Sequence, residues 1–132
     1  MKKVDVLAFG AHPDDVELSA AGTLSKMSAA GKVIGIADLT AGELGSRGSA
    51  PLRLREAEAA AKIMGVQYRE NLGLVDGFFE VNEANLLKVI ESIRRYQPEV
   101  VLANAINDRH PDHGRGSDLV SRACFLSGLR RI

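Results

Sequence analysis

The stretch VDVLAFGAHPDDVEL, residues 4–18, decides the fold of this chain. Its first six residues are mostly apolar, which is typical of a strand buried on both faces of a parallel sheet. After a short turn, residues 16–30 carry apolar or small side chains at spacings of three and four, a pattern that predicts a helix. A strand that leads directly into a helix indicates the beginning of an α/β fold.

The same alternation of strand and helix patterns continues through the chain. Further strands are predicted at residues 32–39, 66–72 and 99–103, and further helices at 52–64, 83–96 and 114–126. The third helix begins after Asn82, a favourable N-cap, and ends before Pro98. Strands separated by helices imply right-handed crossovers, so we predict a Rossmann-like parallel sheet with helices on both faces and strand order 3-2-1-4.

Composition narrows the classes of protein that the chain can belong to. The 132 residues suit one domain, and 45% hydrophobic and 26% charged residues are typical of a globular protein. Equal numbers of basic and acidic residues, 17 each, argue against nucleic-acid binding. One cysteine excludes a disulfide framework, and no stretch approaches the roughly 20 apolar residues of a membrane span. We therefore expect a cytoplasmic protein.

The unusual polar peptides follow the first and fourth predicted strands. Residues 10–15 read GAHPDD, and residues 107–113 read NDRHPDH. In an open doubly wound sheet the ligand site lies beyond the carboxyl ends of the strands, where the strand order reverses. For the order 3-2-1-4 that point falls between strands 1 and 4, so the topology brings these two peptides together.

The first turn excludes one common ligand. A dinucleotide-binding turn needs three glycines so that the backbone can approach pyrophosphate. Those places hold Gly10, His12 and Asp15 here. An imidazole and a carboxylate replace two required glycines, which removes pyrophosphate binding and adds two potential metal ligands.

These residues suggest a metal site at the carboxyl ends of strands 1 and 4. His12 and Asp15, with His113 or His110 from the second peptide, would form a set of two histidines and one carboxylate. Catalytic zinc commonly has three protein ligands and an open position for water, although Fe²⁺, Co²⁺ or Mn²⁺ suits the same set. The structural alternative is that Asp14 or Asp15 only caps the helix and that the histidines are solvated.

Four segments of the sequence together resemble a known family. They are HPDDVE (12–17), TAGELG (40–45), RLREA (53–57) leading into MGV (64–66), and RHPDH (109–113). The combination is similar to the LmbE-like, or PIG-L, family of zinc-dependent N-deacetylases. Within that family, the chain most resembles the branch that deacetylates N-acetylglucosaminyl-malate during bacillithiol synthesis.

The resemblance implies roles for five residues. His12, Asp15 and His113 match the zinc ligands, and Asp14 matches the general base. His110 matches a second catalytic histidine that stabilises the oxyanion or helps to protonate the leaving group. Either Asp112 or Asp108 could orient His110.

The resemblance also implies substrate contacts. Arg53 matches an arginine that contacts substrate, and Asp76 matches an acidic residue near the sugar hydroxyls. A solvated helix residue and an Asp-Gly turn, respectively, are the structural alternatives. Glu17 could orient a zinc ligand or favour the start of its helix, and residues 43–49 form a loop suited to a lid.

The resemblance finally implies a single deacetylase domain over residues 1–132 and a small-molecule amino-sugar conjugate as partner. Diacetylchitobiose or an antibiotic intermediate is an alternative substrate, and a non-catalytic sugar- or nucleotide-binding domain is an alternative function. Family members are often oligomers, so a homo-oligomer stays open. They usually continue past the position of Ile132, so we expect part of a larger chain that binds metal better than it turns over substrate.

Overall fold

The computed structural model describes residues 3–132, which form a parallel sheet flanked by helices. The strands are β1 (Val6–Gly10), β2 (Ile34–Thr40), β3 (Tyr68–Leu74) and β4 (Val100–Leu102), and the helices are α1 (Asp15–Ala29), α2 (Ala50–Met64), α3 (Glu83–Tyr96) and α4 (Pro111–Ser127). The strand order is β3-β2-β1-β4 with every pair parallel, which confirms the predicted topology. No helix within residues 3–132 is long and apolar enough to cross a bilayer.

The two central strands, β1 and β2, are buried along their whole length because helices cover both faces of the sheet. Leu7 and Phe9 belong to the apolar cluster that includes α3 and α4, whereas Val6 and Ala8 belong to the cluster that includes α1 and α2. Full burial of one such large side chain contributes about 1.5–3 kcal/mol. The packed centre of the sheet therefore fixes the point where β1 ends and the first polar turn begins.

Side-chain caps set the beginnings of α2 and α3. Ser49 accepts a hydrogen bond from the N–H of Leu52 (3.2 Å), and Asn82 accepts one from the N–H of Asn85 (2.9 Å). The predicted cap at Asn82 is confirmed. α2 begins at Ala50, two residues before its predicted start, because Ser49 supplies the cap.

The predicted start of α4 at residue 114 is wrong. The helix begins at Pro111, with His110 as its N-cap. Proline is favourable in the first helical turn because the N–H that it lacks has no partner there in any helix. The end of the second polar peptide, from Pro111 to His113, consequently lies in the first turn of the helix, while residues 107–110 precede it.

One residue of the stripe predicted for α1 does not pack in the core. Leu24 is fully buried as expected, but the side chain of Leu18 is 82% exposed. Leu18 instead lines the cleft that contains His12 and Asp15. The helical spacing of apolar residues in α1 therefore predicted burial correctly for Leu24 and wrongly for Leu18, which lies next to the cleft.

Candidate metal centre and active-site cleft

The ends of β1 and β4 lie side by side, with Ala8 paired to Leu102. Asn104, just after β4, accepts a hydrogen bond from the N–H of Ala11 (3.0 Å) and donates one to Asp15 Oδ2 (3.2 Å). Asn104 therefore joins the segment after β4 to the first polar peptide. Asn104 was not predicted as a site residue. Its position as a polar residue just after a strand, at the point where the strand order reverses, could have indicated it.

His12 is 8% exposed, and its two ring nitrogens face different carboxylates. Nδ1 lies 3.5 Å from Asp15 Oδ2, whereas Nε2 lies 2.9 Å from Asp112 Oδ2 and 3.0 Å from Asp76 Oδ1. Burial lowers the pKa of His12, but its hydrogen bonds with Asp15 and Asp112 outweigh burial and raise the pKa to about 9. The position thus favours positive charge.

His113, in the first turn of α4, reaches Asp15 from the other side. Its Nε2 lies 3.2 Å from Asp15 Oδ2, and its Nδ1 lies 2.8 Å from Asp108 Oδ2. Burial raises the pKa of Asp15, but hydrogen bonds with the side chain and backbone of His12 lower it to about 2. Asp15 is therefore a carboxylate at neutral pH, held between two imidazoles.

The geometry fits a divalent metal. One potential ligand atom from each of His12, Asp15 and His113 lies within 4.8 Å of the other two. Each histidine directs one nitrogen towards Asp15 and has its other nitrogen on a second carboxylate, the arrangement that orients histidines at metal sites. A divalent cation would supply the positive charge that the carboxylates favour at His12.

A second set of potential ligands, His12, His110 and Asp112, also lies within 4.8 Å. Two of its atoms already accept hydrogen bonds from the backbone: His110 Nδ1 from the N–H of Asp112 (3.1 Å) and Asp112 Oδ2 from the N–H of Gly77 (2.9 Å). The single lone pair of His110 Nδ1 is thereby used within the protein, whereas a carboxylate oxygen such as Asp15 Oδ2, which accepts the N–H of His12 (3.0 Å), keeps a further lone pair for a cation. The set with Asp15 and His113 is accordingly the better metal site.

Asp14 has an unusual backbone conformation, with φ 138° and ψ −17°. Such a conformation costs a non-glycine residue about 1–3 kcal/mol and is often found at functional sites. Asp14 stands at the N-cap of α1, yet its side chain makes no capping hydrogen bond and is 53% exposed. The structural alternative, that Asp14 caps the helix, is therefore wrong. Burial raises the pKa of Asp14 more than Arg53 lowers it.

Arg53 crosses from α2 to the first polar turn. Its guanidinium donates to the carbonyl oxygens of Pro13 (3.0 Å) and Gly42 (3.2 Å) and lies 3.5 Å from Asp14 Oδ2. Gly42 has φ +64°, and a Cβ there would overlap the guanidinium. Arg53 is thus a fixed neighbour of Asp14, held by a close approach that only glycine permits.

His110 caps α4 with its own ring. Because Nδ1 accepts the N–H of Asp112 (3.1 Å), the neutral ring carries its proton on Nε2 and is a donor there. The ring also stacks on His113, with centroids 4.9 Å apart. The backbone of Asp112 therefore orients the His110 ring, while the carboxylates of Asp112 and Asp108 bind His12 and His113.

Asp76 is 5% exposed and belongs to the site through His12. Its Oδ2 accepts the N–H of Leu44 (2.9 Å), and its own N–H donates to Glu43 Oε2 (2.9 Å). These bonds tie the loop after β2 to the metal site. The structure places Asp76 in contact with a potential metal ligand as well as beside the cleft.

Asp112, one of the two acids that could orient His110 according to the sequence, contacts His12 with its carboxylate instead. Its side chain is fully buried, and Arg115 NH2 lies 3.4 Å from Oδ1. Burial raises the pKa of Asp112, but hydrogen bonds with the N–H of Gly77 and with His12 lower it overall. Asp112 is thus held as a carboxylate, able to orient His12.

All seven predicted site residues line one cleft of about 510 Å³. They are His12, Asp14, Asp15, Arg53, Asp76, His110 and His113. Arg109, Leu18 and Leu44 line the same cleft and were not predicted to. The structure therefore brings together residues from four separate segments of the chain at the carboxyl ends of β1 and β4.

An α/β domain with a candidate site for a divalent cation, beside a carboxylate on a strained backbone, is the class that this fold and cleft define. The chain belongs to the PIG-L family, the GlcNAc-PI de-N-acetylase family, whose family model matches residues 7–124.

Three solved structures share this architecture. The conserved protein TT1542 from Thermus thermophilus is 43% identical, with a TM-score of 0.92 over 97% of this chain and 58% of that chain. The N,N′-diacetylchitobiose deacetylase from Pyrococcus horikoshii is 28% identical, with a TM-score of 0.88 over 94% of this chain and 50% of that chain.

GalB, the 4-carboxy-2-hydroxymuconate hydratase from Pseudomonas putida, is 25% identical, with a TM-score of 0.85 over 98% of this chain and 58% of that chain. This chain thus spans 50% to 58% of the length of these three relatives. Proteins with one architecture are named for two reactions, so the reaction must be argued from the site.

Proposed function

We propose that this chain carries the active centre of a zinc-dependent N-deacetylase that removes acetyl from an N-acetylglucosamine-type conjugate. The observation that carries the proposal is the pairing of two adjacent aspartates with different environments. Asp15 is ionised between His12 and His113, whereas Asp14 is half-exposed in the same cleft and does not cap its helix. One carboxylate is available to a metal and the other to a proton.

The chain's own residues can carry the proton transfers of amide hydrolysis. A bound divalent cation lowers the pKa of a water molecule and polarises a carbonyl. Asp14 would accept the proton of the attacking water and return it to the amine nitrogen as the C–N bond breaks. Arg53, 3.5 Å from Asp14, would hold that carboxylate in place. His110 would donate from Nε2 to the oxygen on which negative charge develops.

The family and the relatives support the substrate class. The family description names a GlcNAc conjugate, and the Pyrococcus relative is a diacetylchitobiose deacetylase. We propose N-acetylglucosaminyl-malate as the substrate because of the sequence resemblance to the bacillithiol branch. Two arginines in the cleft, Arg53 and Arg109, suit an anionic conjugate. The proposal includes a cytoplasmic location and a small-molecule partner.

Release of primary amine from N-acetylglucosaminyl-malate tests this function. The protein is depleted of metal with a chelator, reloaded with Zn²⁺ or Fe²⁺ and assayed on this conjugate beside diacetylchitobiose. We expect amine release only after reloading, faster on N-acetylglucosaminyl-malate, and abolished in Asp14→Asn. Equal rates on both substrates would contradict the bacillithiol assignment. Activity that is unchanged in Asp14→Asn would contradict the assigned base.

The likeness to GalB favours one second candidate, a hydratase. A hydratase adds water without releasing an amine, so mass spectrometry separates the two reactions. Deacetylation divides the substrate into acetate and an amine, whereas hydration increases its mass by that of water. A non-catalytic binding domain would do neither and would not need Asp14 beside Asp15.

A further inference from the structure

Arg69, the second residue of β3, uses every donor of its guanidinium inside the protein. Nε and NH2 donate to the two oxygens of Asp38 (2.9 and 3.1 Å), and NH1 and NH2 donate to the two oxygens of Glu17 (3.0 and 3.2 Å). NH1 also donates to the carbonyl oxygen of Ala57 (3.2 Å). A guanidinium has five N–H donors, and all five are satisfied. The Arg69 side chain is only 8% exposed.

The partners of Arg69 lie on three different elements, α1, β2 and α2. Glu17 is in the first turn of α1, two residues after Asp15. Asp38 on β2 pairs with Gly10, the last residue of β1 before the polar turn. Ala57 is on α2, the helix that carries Arg53. One side chain therefore connects β3, β2, α2 and the beginning of α1.

The first turn of α1 has no side-chain cap, and Asp15 in that turn accepts bonds from Asn104 Nδ2 (3.2 Å) and from the N–H of His12 (3.0 Å). The N-cap residue, Asp14, makes no capping bond and has a strained backbone, so the usual side-chain anchor of a helix start is missing. Glu17 was predicted to orient a zinc ligand directly or to favour the helix start. It lies in the first turn of α1, as the second alternative requires, and its carboxylate accepts hydrogen bonds from Arg69, which links α1 to the sheet.

We propose that Arg69 is a positioning residue that sets the place of Asp15 in the metal site by anchoring the first turn of α1. The inference rests on the proposed metal site. Arg69 contacts none of the three metal ligands, so its effect passes through Glu17 and the helix backbone. Lysine cannot replace it, because an ammonium cannot bond two carboxylates in the bidentate manner of a guanidinium.

The test is the Zn²⁺ affinity of Arg69→Lys, measured by competition with a chromophoric chelator. This variant keeps the charge near the site and changes only the geometry, which separates positioning from long-range electrostatics. Burial raises the pKa of Asp38 to about 6, against the lowering effect of Arg69, so measurement at pH 8 keeps the ion pairs formed. We expect an affinity loss of about tenfold, the lower end of the range for residues outside the ligand set.

Val89→Ala is the matched control for stability. Val89 is fully buried in the cluster that includes α3 and α4, on the opposite face of the sheet from α1. It should lower the melting temperature and leave the Zn²⁺ affinity unchanged. Arg69→Lys with an affinity within twofold of wild type would overturn the inference, as would an equal affinity loss in Val89→Ala.

If Arg69→Lys does not fold, the Zn²⁺ affinity of Glu17→Ala tests the inference, with Glu91→Ala as its matched control. Both changes remove a helix glutamate from an arginine ion pair, Glu17 from Arg69 and Glu91 from Arg95. We expect weaker Zn²⁺ binding only in Glu17→Ala, and equal affinities would overturn the inference. A wild-type protein that binds no divalent metal would instead contradict the proposed function, so the two failures are distinguishable.

Discussion

The two His-Pro-Asp tripeptides of this protein are identical in sequence and stand differently relative to the helices that follow them. After β1, the helix begins at the fourth residue of the motif, Asp15, whereas after β4 it begins at the second, Pro111. This offset of two residues gives the third residue opposite surroundings. The Asp14 side chain is 53% exposed in the cleft, and the Asp112 side chain is fully buried against His12.

The difference shows that the helix start, and not the tripeptide, determines the role of each residue. In the first motif the histidine lies before the helix and faces Asp15, so the aspartate that follows the proline remains available to substrate. In the second motif the histidine caps the helix, so the aspartate turns inward. The first motif thus places an exposed carboxylate, Asp14, beside the candidate metal site, and the second places a buried carboxylate, Asp112, against His12.

The largest effect should come from replacing Asp14, the aspartate of the first His-Pro-Asp tripeptide. Asp14→Asn removes the proposed base, and loss of general acid–base catalysis typically costs about 10²–10⁴ in rate. We expect kcat to fall by that amount while Zn²⁺ affinity stays within a few-fold of wild type. The two quantities are measured by amine release and by chelator competition.

The control is Asp112→Asn, which alters the other tripeptide at the same position. Its main effect should be on metal affinity, with most of kcat recovered at saturating Zn²⁺. If Asp112→Asn lowers kcat as much as Asp14→Asn does at saturating metal, the contrast between the two motifs is wrong.

His110 sharpens the comparison because it has two separable tasks. His110→Asn keeps a good N-cap and replaces the ring Nε2–H with the N–H groups of a shorter amide, whereas His110→Ala removes both the cap and the donor. We expect about a 10²–10³-fold loss of kcat in each variant, the usual cost of an oxyanion donor. Only His110→Ala should also lose about 0.5–2 kcal/mol of unfolding free energy in urea titrations. Equal stability of the two variants would show that the ring does not cap α4.

The carboxylates behind the two histidine ligands should have a smaller effect, seen in binding. Asp112→Asn and Asp108→Asn each replace the partner of one ring, His12 and His113 respectively. Losses of metal affinity of about 10–100-fold are typical for such partners. Isothermal titration with Zn²⁺ should give a greater loss for Asp112→Asn because Asp112 is buried and Asp108 is exposed. The reverse order would mean that burial does not decide the strength of these contacts.

The smallest effect concerns the first motif alone. Gly42→Ala would place a Cβ against the Arg53 guanidinium at a residue with φ +64°. We expect a loss of about 1–3 kcal/mol in unfolding free energy, together with a raised KM, and no change in Zn²⁺ affinity. Gly22→Ala, at a helical glycine with open space around it, is the control and should not destabilise the protein. A wild-type KM in Gly42→Ala would indicate that Arg53 contributes to substrate binding without its close contact with Gly42.

The fold and the meeting of the two polar peptides could be predicted from local patterns in the sequence, whereas Arg53 and Asp76 were expected in the cleft only from the family resemblance. Apolar runs identified the strands, and polar peptides after two strands identified the point where the order reverses. The roles of Asp112 and Asp108 could not be predicted, because they depend on where α4 begins, and a proline within a motif marks a helix start only when its neighbour caps it. The contacts of Asn104 and Arg69 are tertiary and join residues that no spacing relates.

The distance along the chain between the two motifs affects how the protein folds. Asp112 follows His12 by 100 residues, and β4 pairs with β1 at only three positions. A cation bound by residues of both motifs would close a loop of about 100 residues in a chain of 132. The entropic cost of closing that loop is small only if β1 and β4 are already paired. Metal at a thousand times its Kd would add about 4 kcal/mol to that pairing by mass action. We therefore expect the proposed metal to be captured late in folding, and its removal to loosen β4 first, seen as faster amide hydrogen exchange in that strand.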